Sequence, residues 1–581
     1  MEQCLFCQGA IDPTGGVCRQ CGRAQPTKGG AALLPAAASP MTTRCTRCGE
    51  KVPGGARFCP TCGLSFVQAA LPTPPAAPIP MAESHGVYAS VDAFAKAPVR
   101  SAEAASANTA PFTFLPEQYL LQEVPIITDD GTGSHSSTGT LPVVVPPLHH
   151  QVVTAILKVE PSLKGLQQAQ AQLEAVIQAL EQAYPQTASG LGITVAWGLP
   201  YFQRYIPRLG KPSYHFAAGT AYPDYLPIDH RASKAARKTI RAILDAMAFP
   251  SDQPPPGYPG ILLEANDVAV LLRSDSLAHI QAGMDAIFGA QPGQAGWLFQ
   301  VTSIRKGFAG GGFYGKQSLP SQMARAARIP GAEYIPPTAE LFMGFTSTQQ
   351  NALGSGLIAN MESLPGLTDQ WPYGYFQHGT TMHLSHLYED LKAWYEGNGP
   401  INFSSYAERV RATFRPGLTV PPGTQTVPEG PAQVVNAAAL GKDLKTYGGV
   451  GHSAAMQPAT RLPQDTIDNY DTLYRAGTAI PQRADFNTLD NPFFYSANPQ
   501  QDRYSSQPAA GLHFVVFVPT SDAFHRGRLA MDGHYADGTV LKLHPRAHGM
   551  GFNAVLTTTH RQNFLVPPRA HRSFPLVEYL A

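Results

Sequence analysis

At 581 residues the chain is too long for one ordinary core, since single cores stop growing at about 250–300 residues, and at least two globular units are expected. Hydrophobic residues at 43% and charged residues at only 14% exclude a disordered polyelectrolyte, and a formal net charge of +1 excludes whole-chain attraction to nucleic acid or an anionic membrane. All eight cysteines lie at or before position 62, so the remaining 519 residues hold neither a disulfide framework nor a thiol nucleophile.

The cysteines form two sets, Cys4, Cys7, Cys18, Cys21 and Cys45, Cys48, Cys59, Cys62, each reading C-x2-C, ten residues, C-x2-C. Two thiolates two residues apart sit on one tight turn, and two such turns supply the four tetrahedral sulfurs that zinc accepts. Gly22, Gly49 and Gly63 follow knuckle cysteines, where a glycine frees the backbone to turn its amides toward sulfur. The pattern resembles short zinc-ribbon modules, and two zinc ions are expected. Disulfide pairs and an iron site are the alternatives. Residues 1–70 carry seven basic side chains (Arg19, Arg23, Lys28, Arg44, Arg47, Lys51, Arg57) against Glu2, Asp12 and Glu50, or +4, leaving −3 for the rest. Weak nucleic-acid contact stays open for the ribbons, but docking to a protein partner is the reading favoured for modules this small. No run of 18 apolar residues occurs and the chain opens with MEQCLFC, so neither a membrane span nor a secretory signal is expected, and with thiolate zinc the expected location is cytoplasmic.

In chain order the expected organisation is a first ribbon at 1–25, a linker at 26–43, a second ribbon at 44–66, and a Pro/Ala-rich linker at 67–140 whose composition cannot offset its ordering entropy. Strands and helices then alternate. Residues 152–159 and 192–200 read as strands, 166–180 as a helix with apolar residues at helical spacing, and 232–247 as a long amphipathic stretch. Strands at 260–266 and 268–274 precede a helix at 277–288. A comparable order returns later, with a strand at 381–394, a helix at 403–414, a strand at 511–519 and a helix from about Asp522. Each set has the order of a ferredoxin-like unit, and the two together make one α+β domain, with halves at 141–335 and 336–581.

Several segments taken together resemble the dye-decolourising peroxidase superfamily. They are ITVAWGLPYF (193–202), ANDVAVLLRSD (265–275), LFMGFTSTQQN (341–351), HGTTMHLSHLYEDLKAWY (378–395), GHSAAM (451–456), GLHFVVFVP (511–519) and the terminal FLVPPRAHRSFPLVEYL (564–580). The resemblance spans roughly 141–581. It implies an α+β barrel built from two ferredoxin-like halves, haem b bound on the second half, hydrogen peroxide as oxidant and a small-molecule reducing substrate. It makes His452 the haem-iron ligand and Arg483 the cation that helps separate charge as the O–O bond breaks, with Gln482 an alternative alignment for that place. Where the family carries aspartate-glycine, this chain has Ser347-Thr348, and no carboxylate falls between Glu340 and Glu362. A hydroxyl orients a water but does not accept a proton at neutral pH as a carboxylate does, so activity is expected to be slower or driven by arginine.

Other groupings compete for attention. Glycines at 449–451 also fit a plain surface loop around His452, and a solvent-exposed ion pair is an equal reading of Arg483. His378, His383, His386 and Glu389 lie close in sequence, but on a strand His383 and His386 point to opposite faces, which argues against a metal cluster. The glycine-rich stretch 307–318 lacks the spacing of a phosphate loop and reads as a flexible loop. Three functions follow in order: a haem-dependent peroxidase with zinc-ribbon docking modules, a haem-binding sensor or carrier, and a haem-free interaction scaffold. The reducing substrate and homo-oligomerisation stay open.

Overall fold

The run His149–Leu157 is apolar or β-branched at alternate positions and buried along almost its whole length, as a strand covered on both faces must be. It is the first of eight principal strands in the computed structural model, which describes residues 43–44, 51–52, 115–120, 126–129, 140–143, 147–206, 214–215, 221–222, 226–252, 260–310, 318–337, 339–344, 359–396, 403, 405–420, 436–474, 476–493, 507–543 and 555–580. The eight cysteines, Ser347 and Thr348 lie outside the described residues.

The strands are β1 (His149–Leu157), β2 (Gly192–Gly198), β3 (Val268–Ser274), β4 (Phe299–Phe308), β5 (Thr380–Glu389), β6 (Phe486–Thr488), β7 (Gly511–Val518) and β8 (Leu556–Val566). They pair in the order β5-β7-β6-β4-β1-β3-β2-β8, and β8 pairs again with β5, closing a barrel in which every ring neighbour is antiparallel. The four principal helices are α1 (Leu163–Ala183), α2 (Leu277–Phe288), α3 (His452–Thr460) and α4 (Ser521–Met531). Strand order within the first half is β4-β1-β3-β2 and within the second β8-β5-β7-β6, the same permutation twice. With α1 after β1, α2 after β3, α3 between β5 and β6, and α4 after β7, each half has the ferredoxin-like order.

The halves join edge to edge, so the barrel ring has no open edge. At one seam Gly307 pairs with Thr488. A Cβ added at Gly307 would lie 2.2 Å from a Phe486 ring carbon and 2.3 Å from the Asn487 carbonyl, so only glycine admits this approach. At the other seam Gly198 pairs with Phe564 and Trp197 with Leu565.

Strand periodicity divides the core into two layers. Val153, Ala155, Ile193, Val195, Trp197, Val268, Val270 and Leu272 face outward and pack under Leu166, Leu173 and Ile177 of α1 and Ile280, Met284 and Ile287 of α2. The intervening residues Val152, Ala196 and Leu271 point into the barrel, where they meet Met382, Leu384, Phe486, Val515, Phe517 and Phe564. Each of the larger side chains contributes about 1.5–3 kcal/mol by leaving water. The barrel also encloses charge. Arg305 donates to Glu264, which sits 2.9 Å from His560 Nδ1, and Arg305 Nη1 lies 3.2 Å from His513 Nε2. Burial works to raise the Glu264 carboxyl, and Arg305 and His560 together outweigh it and hold the group at about 2.

The strand expected over 381–394 ends at Glu389, with a helix at Leu391–Glu396 after it. The amphipathic stretch 232–247 is helical only over His230–Ala236, and Arg237 takes a left-handed φ of 53° that ends it. The chain beyond runs extended and is held by other partners, Ala242 N donating to Pro227 O and Ala242 O accepting from Ser521 N. Within the stretch read as linker, residues 115–120 pack into the barrel. Tyr119 is fully buried in the interior cluster, and Gln118 bonds both backbone groups of Val195. A strand pair, Ile126–Asp129 with Thr140–Val143, follows it. Further upstream Thr43–Arg44 pairs with Lys51–Val52, bracketing positions 45–50.

Candidate functional site: a cavity outside the second half-barrel

The outward face of the first half is sealed by α1 and α2, whereas the equivalent layer of the second half encloses a cavity of about 250 Å³. Its floor is the outward register of three strands: Ser385, Leu387 and Glu389 of β5, Leu512, Phe514, Val516 and Val518 of β7, and Leu556, Thr558 and Arg561 of β8. Its roof is one face of each of two helices: His452, Ser453, Met456 and Thr460 of α3, and Ala523, Phe524, Gly527, Arg528 and Met531 of α4. Spacings of three and four along each helix put these residues on a single stripe. The opposite stripe of α3, Ala454 and Ala455, packs on Leu440, Val450, Ala530 and Tyr535.

His452 stands at the first turn of α3, not in an irregular surface loop, and is half-buried on the cavity wall. Its position is set by the residue before it. A Cβ at Gly451 would lie 2.2 Å from the Phe414 carbonyl oxygen, which accepts from Ala454 N at 3.2 Å. The lack of a side chain at 451 therefore lets the start of α3 close onto Phe414, itself a wall residue. Arg483 lies on a short strand, Gln482–Arg483, paired to β7 with Arg483 opposite Val516 and Gln482 opposite Phe517. Directly paired residues share a face. Val516 lines the cavity whereas Phe517 points into the barrel, so the register turns Arg483 and not Gln482 toward the cavity. Leu341 and Met343 are also on the wall. Ser347, four residues beyond Met343, is outside the described residues.

Four arginines reach this space: Arg461, Arg483, Arg528 and Arg561. Arg561 is 2% exposed and is held in a bidentate pair with Asp252 at 2.7 and 3.0 Å. Arg528 reaches Asp252 at 3.4 Å and Asp532 at 2.9 Å, and both guanidinium groups lie against the ring of Phe249. Two acids also line it, Glu389, weighed from sequence only as a metal ligand, and Asp485, which sequence reading did not single out. Glu389 is 2% exposed, its Oε2 has no hydrogen-bond partner, and burial followed by the charge of Asp485 pushes its carboxyl up to about 8. Asp485 accepts from Val515 N at 3.0 Å; it is half-buried, keeping some contact with solvent, and burial pushes it up to about 6, opposed by Arg483. The available signals were slight: Glu389 continues the alternation of Ser385 and Leu387, and Asp485 follows Arg483 by two.

Of the other candidates, His383 and His386 do face opposite sides of β5. His386 Nε2 meets Thr488 Oγ1 inside the barrel at 3.0 Å. His383 stacks on Phe524 with 3.6 Å between centroids and bridges Asn563 Oδ1 at 2.7 Å and Ser385 Oγ at 2.5 Å. Asn563 Nδ2 donates to Leu244 O, which leaves its Oδ1 to accept from His383 Nδ1–H and leaves His383 Nε2 to accept the Ser385 hydroxyl. Burial holds His383 well below its usual range, so it is a neutral strut that aims Ser385. His378 sits apart, with Nδ1 3.2 Å from both Glu117 and Glu362. Among the described residues no group of three or more His, Cys, Asp or Glu side chains is placed to hold a metal ion, and no helix is long and apolar enough to cross a membrane.

Comparison with known proteins gives two family matches. A model described as a family of unknown function, DUF7405, matches residues 245–568, and one described as a double zinc ribbon matches residues 4–63. No curated protein matches the chain. Solved structures similar to it include the DyP-type peroxidase from Cellulomonas bogoriensis, at 15% identity and a TM-score of 0.41 over 78% of this chain and 96% of that one. Another is the encapsulated DyP-type peroxidase from Mycobacterium smegmatis, at 11%, 0.38, 74% and 96%. A third is a DypB variant from Rhodococcus jostii in complex with heme, at 10%, 0.37, 74% and 96%.

Proposed function

The chain belongs to DUF7405, a family of unknown function, and for this member we propose a haem-dependent, peroxidase-like oxidoreductase that uses hydrogen peroxide, with its two zinc ribbons as protein-docking modules. One observation carries the reading: His452 and Arg483, on separate elements 31 positions apart, line the same cavity. The donor set fits haem b, an apolar macrocycle with two carboxylates whose iron takes an imidazole nitrogen. Leu387, Leu512, Phe514, Val516 and Met456 supply apolar wall, Arg461, Arg528 and Arg561 would hold the propionates, and His452 would supply the imidazole from the start of α3.

Bound there, haem would supply the redox chemistry. The protein's own work is binding, orientation and charge. His452 offers a ring nitrogen from a helix start fixed by Gly451 against Phe414. Arg483 presents a permanent cation toward oxygen that gains negative charge. Arg483 is exposed on its outer side, so the apolar walls thin the water chiefly around the half-buried His452. The zinc of the ribbons would be held by Cys4, Cys7, Cys18 and Cys21 and by Cys45, Cys48, Cys59 and Cys62. A haem-binding sensor or carrier is the second reading, favoured by Ser347-Thr348 standing where the resembled family has its acid.

The test is absorbance after reconstitution with haem. A Soret band that His452→Ala abolishes or shifts supports the reading; no band in the wild type refutes it. With haem bound, oxidation of a reducing dye by peroxide should fall 10²-fold or more in Arg483→Ala. Equal inertness of both leaves the carrier.

A further inference from the structure

Two carboxylates, Glu389 and Asp485, line the cavity beside Arg483. We propose that Asp485 and Glu389 form an acid–base pair on the cavity wall, Asp485 accepting the proton of a bound peroxide and Glu389 holding a second proton in reserve. This rests on the peroxidase reading and assigns to that cavity the carboxylate chemistry that Ser347-Thr348 cannot provide.

The geometry comes first. Asp485 is anchored by the Val515 amide and stands two residues beyond Arg483, and both side chains line the cavity. An acid and a permanent cation therefore face one space from one segment. Glu389 ends β5 on the floor of the same cavity, with an oxygen buried and unbonded, an arrangement a stable ionised carboxylate would not keep. The pair also titrates apart. Around neutrality Asp485 is mostly ionised and Glu389 is protonated, the division of roles expected when environments separate two like groups. The groups that face the pair are His452 and Arg461 from α3 and the turn after it, Arg528 from α4, Arg561 from β8, and Arg483 beside Asp485. Burial raises the Tyr395 hydroxyl, Arg409 opposes that rise, and Glu389 is near enough to add to it.

The step balances without a redox partner. One peroxide O–H bond breaks and one O–H bond forms on Asp485, the electron pair stays on oxygen as hydroperoxide, and Arg483 faces the resulting charge. A chemically small, protic oxidant is the ligand class this suits.

Two measurements on the full chain test it. Infrared difference spectra across pH 5–9, which need no haem, should show a protonated-carboxyl band at pH 7 that Glu389→Gln removes and whose midpoint falls by about one pH unit in Asp485→Asn. Absence of the band from the wild type, or a midpoint indifferent to Asp485→Asn, overturns the pair. In haem-loaded protein of matched Soret intensity, Asp485→Asn should slow peroxide consumption about 10²–10⁴-fold. A wild-type rate with an intact Soret band overturns the proposal and leaves the haem reading standing. If no haem binds, that reading fails and the infrared result alone decides the pair.

Discussion

Replacing Glu389 by glutamine should make the protein more stable, and increasingly so as pH rises. The side chain is 2% exposed, with one oxygen unbonded, and burial together with Asp485 moves its carboxyl from 4.5 to about 8. Between those values the folded chain holds a proton that the unfolded chain has released, so folding stability is full below pH 4.5 and declines as pH climbs to 8. At 1.36 kcal/mol per pH unit, the interval corresponds to about 5 kcal/mol by pH 8, and relaxation and water entry reduce the observed value to about half of that. Glutamine has the shape of the protonated acid and never ionises, so it removes this decline. Urea unfolding of wild type and Glu389→Gln at pH 5, 6, 7, 8 and 9 is the assay. The two should coincide near pH 5 and diverge by about 2–5 kcal/mol at pH 8. Other buried acids such as Asp490, also pushed up to about 6, affect both proteins alike and cancel in the comparison. Parallel pH profiles, or a variant less stable than wild type at pH 8, would refute a buried, protonated Glu389.

Gly451→Ala should disturb His452 without touching it: a methyl 2.2 Å from the Phe414 carbonyl forces α3 away, and haem affinity should drop at least tenfold, read by Soret titration. Asp252→Ala leaves Arg561 charged, 2% exposed and unpaired on the cavity wall, and should cost about 3–5 kcal/mol in urea unfolding. Arg572→Met at the C-terminal end of the fold breaks ion pairs with Glu174 at 2.9 Å and Glu181 at 2.6 Å, but Glu181 keeps Arg569 and Glu174 keeps Ser573, so the loss by the same assay should be smaller than for Asp252→Ala, about 1–3 kcal/mol. Metal analysis of the full chain should find two zinc ions, falling to about one in Cys45→Ser.

Much of the framework was legible in residue pattern because it depends on local periodicity. Leu277–Phe288 is a helix over the residues its spacing predicts, and Val268–Ser274 and Gly511–Val518 are strands because β-branched and apolar residues recur there with both faces buried. The amphipathic run at 232–247 is helical only at its start for a physical reason. Its apolar residues are buried by separate neighbours reached after a left-handed turn at Arg237, and tertiary contacts outweigh a helical propensity of a few tenths of a kcal/mol per residue. Residues 115–120 looked like the tail of a linker because two of their three buried residues, Glu117 and Gln118, are polar and leave no apolar pattern to read.

For the site, sequence by itself determined the parts: the cysteine sets, a cysteine-free body in which an imidazole is the available nitrogen ligand, and His452 and Arg483 as the residues to watch. It did not decide whether the neighbour Gln482 or Arg483 reaches the cavity, since a shift of one residue turns a strand side chain to the opposite face. Pairing with β7 settled that. Nor could it bring Glu389 and Asp485, 96 positions apart, onto one wall. Burial raises both acids only because β5, β7 and the segment after Arg483 converge under α3 and α4, and desolvation is a property of that enclosure, not of the residues that enter it.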